Sequence, residues 1–227
     1  MLIGVTGTGT DVGKTWVTAV TIRELRATGI SCAARKPAQS FDPDHNDPTD
    51  AEVLGAATHE LPQTVCPAHR WLPIALAPPM AAAALELPRF TIAELINDLA
   101  SSNADIVFIE GAGGLRSPLA EDGDTLALFQ SVEADVVVVV ADAELGTINA
   151  LRLTIDALNN VMIPTPPIVA YLNRFEERNE LHGRNRAWLA NEDHFTVITS
   201  PSDLAAFLTN VAEHTPSGGA FSRKSEG

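Results

Sequence analysis

Apolar residues along this chain fall into short continuous runs, separated by longer stretches with helical spacing. The runs are "LIGVT" (2–6), "SCAARK" (31–36), "DIVFIE" (105–110), "DVVVVVAD" (135–142), "PIVAYLN" (167–173) and "FTVIT" (195–199). Most are apolar at consecutive positions rather than alternate ones. That is expected of strands covered on both faces, as in a parallel sheet. Helical spacing is clearest at 14–28, 50–58, 91–102, 146–160 and 202–213. Strands alternating with helices predict βαβ units. Residues 61–80 hold five of the fifteen prolines and read as an irregular surface excursion on the same domain. The small, polar "TPSGGAFSRKSEG" at the end reads as a flexible tail over 215–227, leaving 1–214 as a single domain.

Composition narrows the partners. The chain has 227 residues, enough for one α/β domain with a core, and 15 basic against 29 acidic side chains give a net charge of −14. Phosphate backbones select basic surfaces, so nucleic acid is not expected as a partner. A local phosphate site remains open, because backbone N–H groups and one or two lysines suffice. The two cysteines, Cys32 and Cys66, form neither a disulfide framework nor a zinc pattern, and the proximity of Cys66 to His69 has no second pair to complete it. No signal peptide and no membrane-length apolar segment is visible, so a soluble cytoplasmic protein is expected, without a membrane partner.

The chemistry is carried by loops that follow strands. "GTGTDVGKT" (7–15) joins the first strand to a helix that ends before Gly29. The string has five residues between Gly7 and Gly13, where the usual phosphate-binding loop has four. Its place at a helix N-terminus supplies free N–H groups and the positive end of the helix dipole. Lys14 is then placed to reach the outer phosphates of a nucleotide, and the Thr15 hydroxyl to bind Mg²⁺. The bland alternative is a tight turn with a solvated lysine. "DIVFIEGAGG" (105–114) ends a strand in Glu110, in the manner of a metal-binding acid, and continues into Gly111, Gly113 and Gly114, which permit close approach of a substrate. "RKPAQS" (35–40) puts Lys36 at the end of a second strand, on the sheet edge that carries ligands in such folds. "DHNDPTDAE" (44–52) adds Asp44, Asp47, Asp50 and Glu52, an acid-rich stretch that is either solvated or holds one metal ligand. The fold class that follows is a P-loop NTPase-type α/β fold, with a mostly parallel sheet covered by helices on both faces.

Taken together, these strings resemble the dethiobiotin synthetases, the ATP-dependent carboxylases of biotin synthesis. "GTGTDVGKT" matches that family's lengthened loop, so the extra residue is a family trait. "KPAQS" is similar to its lysine–proline substrate loop, "EGAGG" to its second acidic motif, and "LGTIN" (145–149) to a segment that opens a helix; Asn173 in "YLNR" resembles an adenine-contacting asparagine. The resemblance runs from residue 2 to about residue 174. It implies ATP and Mg²⁺ as cofactors, and 7,8-diaminopelargonic acid with CO₂ or bicarbonate as substrates. The reaction it implies runs through a carbamate and a carbamic–phosphoric anhydride to the cyclic urea. It implies that Gly9, Thr10, Asp11, Val12, Gly13, Lys14, Thr15 and Val17, with Glu110, Gly113 and Asn173, bind the nucleotide. Lys36, Lys14 and Thr10 would serve catalysis, and Thr15, Glu110 and Asp50, with Asp47 in reserve, would hold the metal. Lys36, Ser40, Gly111, Gly113, Gly114, Thr147 and Asn149 would bind substrate, the last two from the other subunit of a homodimer.

The chain departs from the family in three places. Phe41 stands where Gly is usual, Ala150 stands where His is common, and "TSPSDL" (199–204) replaces a Pro-x-x-Gly-x-x-Pro stretch of the base pocket. The alternatives are an amide-forming synthetase of corrin synthesis, a partition-type ATPase switch and a non-catalytic nucleotide-binding paralogue. The first lacks room here for a glutaminase domain. The second needs an early lysine where this chain has Thr8, Gly9 and Thr10.

Overall fold

The structure, a computed structural model, describes residues 1–214; the tail expected at 215–227 lies outside them. Six strands, β1 (Leu2–Gly7), β2 (Cys32–Arg35), β5 (Ile106–Glu110), β8 (Val136–Asp142), β9 (Ile168–Asn173) and β10 (Thr196–Ile198), form one sheet in the order β10-β9-β8-β1-β5-β2. Every pairing in it is parallel. These are the six apolar runs of the sequence. Alternate residues supply two separate cores, which explains the lack of polar alternation.

On one face Val5, Phe108, Val138 and Tyr171 pack with helices α1 (Lys14–Ala27), α2 (Asp50–Thr58) and α9 (Pro201–His214), and with the short α3 (Pro62–Val65). On the other, Val107, Val139 and Leu172 pack under α4 (Pro78–Ala84), α5 (Ile92–Asp98), α6 (Thr125–Ser131), α7 (Thr147–Val161) and α8 (Glu180–Asn191). Two small ribbons lie outside the main sheet: β3 (Gln39–Ser40) with β4 (Trp71–Leu72), parallel, and β6 (Pro118–Ala120) with β7 (Gly123–Asp124), antiparallel.

Local chemistry sets the helix ends. Gly29 follows α1 with φ +91°, its N–H donating to Arg26 O while Ile30 N–H donates to Leu25 O, the paired bonds of a Schellman stop. Thr49 and Glu52 form a reciprocal capping box that starts α2 at Asp50, and Thr91 with Glu94 does the same for α5. α5 ends at Asp98, short of the expected 102. Beyond it the carbonyl of Ala100 accepts a 2.7 Å bond from Nε of the buried Arg35, which holds that stretch out of the helix. Residues 61–80, expected to be irregular, contain α3, a 3₁₀ turn (Ala68–Arg70), β4 and the start of α4.

The chain leaves β1 toward β2 at one edge, returns through β5 and then passes to β8 on the other side of β1. Ligand sites in such sheets lie at this reversal, beyond the carboxyl ends of the strands. The central strand leaves little room: a Cβ at Gly4 would stand 3.0 Å from the buried ring of Phe129. Gly4→Val should therefore destabilise the fold by about 1–3 kcal/mol through overpacking. The expected readout is a lower urea midpoint with an unchanged slope.

Candidate functional site

The loop of residues 8–13 wraps the carboxyl end of β1. It is anchored by Thr8 N–H donating to Val140 O (2.9 Å) and by Leu115 N–H donating to Gly7 O (3.2 Å). It ends in Gly13, whose φ of +91° is the left-handed conformation that only glycine adopts without strain. No side chain caps α1, so the first N–H groups of the helix face the loop. Asn173, at the end of β9, donates from Nδ2 to Val12 O (2.9 Å) and lies so close that a Cβ on Gly13 would be 2.1 Å from that nitrogen. Lys14, nearly buried, donates to Gly9 O (3.0 Å). Burial, followed by the neighbouring Lys36, holds its pKa below the usual lysine value.

Lys36 meets this loop from β2. Its side chain is 2% exposed, and Nζ lies 2.6 Å from Asp50 Oδ2 and 2.8 Å from Glu110 Oε1, whose own side chain is 1% exposed. Nζ also donates to Gly111 O (3.0 Å). Burial works against the ammonium; Asp50 and Glu110 more than reverse it, so the Lys36 pKa is raised. Asp50 is likewise lowered against its own burial, chiefly by Lys36. Lys36 is thus a buried, charged bridge between two acids and not a solvated turn residue.

Thr15 joins the same group. Its Oγ1 stands 2.7 Å from both Asp50 Oδ1 and Glu110 Oε1. One hydroxyl proton serves only one of those contacts, so two oxygens face each other without a hydrogen between them. A divalent cation would satisfy all three, and a hydroxyl with two carboxylates is a hard oxygen set suited to Mg²⁺. Among the described residues no cluster of three or more His, Cys, Asp or Glu is placed to hold a metal. Of the two acids left open by the sequence, Asp50 occupies this position, while Asp47 lines the cleft.

Lys14, Thr15, Lys36 and Asp50 line a cleft of about 810 Å³, of the size used by small-molecule sites, whereas Glu110 and Asn173 lie behind its lining. Thr10, Gly113 and Ser40 also line it, as do the apolar Phe41, Leu76 and Pro78. Phe41 is held edge-on against Trp71, with ring centroids 6.4 Å apart. No thiol nucleophile is available: burial pushes both Cys32 and Cys66 up to about 12.

Comparison with known proteins decides between the readings. A model of an AAA domain family matches residues 2–199. The ATP-dependent dethiobiotin synthetase BioD of Anaeromyxobacter dehalogenans (strain 2CP-C) is 39% identical, over 88% of this chain and 91% of its own. The enzymes of the same name from Rhodococcus jostii (strain RHA1) and Phenylobacterium zucineum (strain HLK1) are 40% and 37% identical, over 70% and 73% of this chain and 68% and 73% of theirs. This chain belongs to the dethiobiotin synthetase family.

Solved structures similar to this family member show the fold alone. Cobyrinic acid a,c-diamide synthase from Mycobacterium smegmatis, with a bound ATP analog and magnesium, aligns over 94% of both chains with a TM-score of 0.57 and 16% identity. A plasmid partition protein of Borrelia burgdorferi B31 bound to AMPPNP aligns over 89% of this chain and 88% of its own, with a TM-score of 0.51 and 15% identity. Both rival classes therefore share the architecture, and only the sequence relationship separates them from the synthetases.

Not every residue expected at the site of this synthetase-family chain reaches the cleft. The Val17 side chain points into the core, 1% exposed, and its N–H is taken by Gly13 O. Thr147 and Asn149, in the first turn of α7, are not among the residues that line the cleft. Gly111 and Gly114 flank the cleft, and Gly111 has no room for a side chain, since a Cβ there would meet Thr125 Oγ1 at 2.3 Å. Sequence reasoning missed Arg174. Its guanidinium pairs with Asp142 and donates to Asp11 O (2.9 Å), tying the loop to the ends of β8 and β9. Its position directly after Asn173, at a strand's carboxyl end, was the available signal.

The tightness around Gly13 is testable. Gly13→Ala should weaken ATP binding at least tenfold, on the order of 1.4 kcal/mol, measured by calorimetry. Adding Asn173→Ala removes the clash but not the left-handed strain, so the double variant should not recover.

Proposed function

We propose that this protein is a cytoplasmic, ATP-dependent dethiobiotin synthetase that carboxylates 7,8-diaminopelargonic acid and closes its cyclic urea, with release of ADP and phosphate. The observation that carries the reading is the Lys36 bridge, set between two acids and the Thr15 hydroxyl beside a phosphate-binding loop. Membership of the family supplies the substrates.

On this reading one amine of the diamine takes up CO₂, giving a carbamate. A carbamate oxygen attacks the γ-phosphorus of ATP and displaces ADP, forming a carbamic–phosphoric anhydride. The second amine then attacks the carbonyl carbon, and phosphate leaves as the ring closes. No protein nucleophile is needed, in keeping with two buried thiols held in the neutral form. The work left to the protein is positioning and charge stabilisation.

The loop N–H groups and Lys14 would hold the β- and γ-phosphates, with Thr10 beside the γ-phosphate. Lys36 would face the transferred phosphoryl group from the substrate side, where its charge counts most in the transition state. Thr15, Asp50 and Glu110 would hold Mg²⁺, which supplies charge neutralisation on the phosphates. Ser40 and the backbone at Gly111, Gly113 and Gly114 would bind the diamine. Asn173 keeps Oδ1 available to the adenine amino group while Nδ2 holds Val12 O.

The reading includes a homodimer in which Thr147 and Asn149 bind the partner's substrate carboxylate. It is supported by the apolar side chains beside them, Leu145 at 85% and Leu153 at 65% exposed, which a lone chain would leave in water. Leu153→Asp should shift the mass measured by analytical ultracentrifugation from dimer toward monomer. A wild type that is monomeric at assay concentration and fully active would remove this part.

The central test is Lys36→Met, which keeps the stem and removes the charge. Dethiobiotin formation at saturating diamine, bicarbonate, Mg²⁺ and ATP should fall by about a hundredfold or more. ATP affinity, measured on the same protein, should change only a few-fold. Wild-type protein that forms no dethiobiotin by mass spectrometry would instead point to a non-catalytic nucleotide binder.

A further inference from the structure

Gln39 takes no part in the roles assigned above, yet it is a buried polar side chain in the cleft wall. It is 2% exposed and lines the cleft between Lys36 and Ser40. Its Oε1 accepts from Ala51 N–H (2.9 Å), in the first turn of α2. That bond fixes the orientation of the carboxamide, because turning the group over would set its nitrogen against another donor. The two hydrogens of Nε2 therefore point away from α2, and Nε2 has no partner although it is buried. The neighbouring Ser40 Oγ is buried and unpaired as well.

Buried donors are almost always satisfied, and a wall with two adjacent orphans calls for an acceptor from the ligand. Its chemistry is constrained by what surrounds it. Gln39 Nε2 and Ser40 Oγ are unspent donors, and they stand beside the charge of Lys36, whose three N–H groups are taken by Asp50, Glu110 and Gly111 O. Two unspent donors side by side suit a planar group that offers two acceptor oxygens.

We propose that Gln39 is a substrate-binding residue whose Nε2 donates to an oxygen of the carbamate formed on the diamine, favouring the carboxylated over the free amine. The proposal rests on the reading of this site as a dethiobiotin synthetase. Two variants separate the donor from the anchor. Gln39→Glu keeps the acceptor for Ala51 N–H and loses the donor; Gln39→Met loses both.

The experiment measures kcat/KM for the diamine at saturating bicarbonate and MgATP, beside the calorimetric Kd for MgATP. Both variants should lose about tenfold or more in kcat/KM, as expected for a hydrogen bond to a charged group, with MgATP affinity within about threefold. Wild-type kcat/KM in Gln39→Glu with a loss confined to Gln39→Met would reduce the residue to an anchor for α2 and overturn the proposal. Equal losses in MgATP affinity would overturn it too, since Gln39 would then act through Asp50. Wild-type protein without dethiobiotin formation would remove the reading of the site itself, and the proposal with it, an outcome visible before any variant is made.

Discussion

A single buried ammonium organises the ligand edge of this protein. Lys36 leaves β2, Glu110 ends β5, Asp50 opens α2 and Thr15 opens α1, and all four meet within hydrogen-bonding distance. A buried charge is costly unless it is paired and hydrogen-bonded. Here the ammonium is paired with both carboxylates, and removing it would leave the buried Glu110 without its cation. The same contacts that make the cluster tolerable also fix where α2 and the phosphate loop stand relative to the sheet. Thr18, one turn further along α1, adds a contact from its hydroxyl to Glu110 Oε2 (3.2 Å).

The elements that the sequence made visible are those whose burial is written in apolar residues. All six sheet strands were legible because the cores on both faces take nearly every side chain, as in the buried stretch from Val136 to Ala141. α8 was not legible, for a physical reason: its buried positions include His182 and Asn185 beside Leu189, so the helical period is carried partly by polar groups. They are accommodated by specific bonds, with Asn185 donating to Ala143 O (2.9 Å) and His182 Nδ1 accepting from Glu176 N–H (3.0 Å). α4 was hidden by the two prolines that begin it, which read as a loop but suit the first positions of a helix. At the site, type and spacing singled out the phosphate loop, Glu110, Lys36 and, with Asp47 in reserve, Asp50, and the fold brings Thr15, Lys36, Asp50 and Glu110 together. Gln39 gave no signal, because its bond to Ala51 N–H depends on how α2 packs.

Architecture alone says little about chemistry in this fold. A diamide synthase and a partition protein align with this chain at 16% and 15% identity, across nearly its whole length. What distinguishes this member lies in loops beyond the strand ends. The cleft is lined by the charged Lys14, Lys36 and Asp50 and by the apolar Phe41, Leu76 and Pro78, all carried by segments that follow the strands.

The acidity of the whole chain does not work against an anionic nucleotide here. Twenty-nine acidic side chains are set against fifteen basic ones, but most are in water, where screening confines their reach to about 8 Å at physiological ionic strength. Lys14 and Lys36 are buried, and buried charges are screened far less. The local field at the loop is therefore set by two lysines, the N-terminus of α1 and two acids whose charge a metal would offset. The two scales of charge thus act over different ranges: the exposed acids are screened within a short distance, while the buried cluster sets the field inside the cleft.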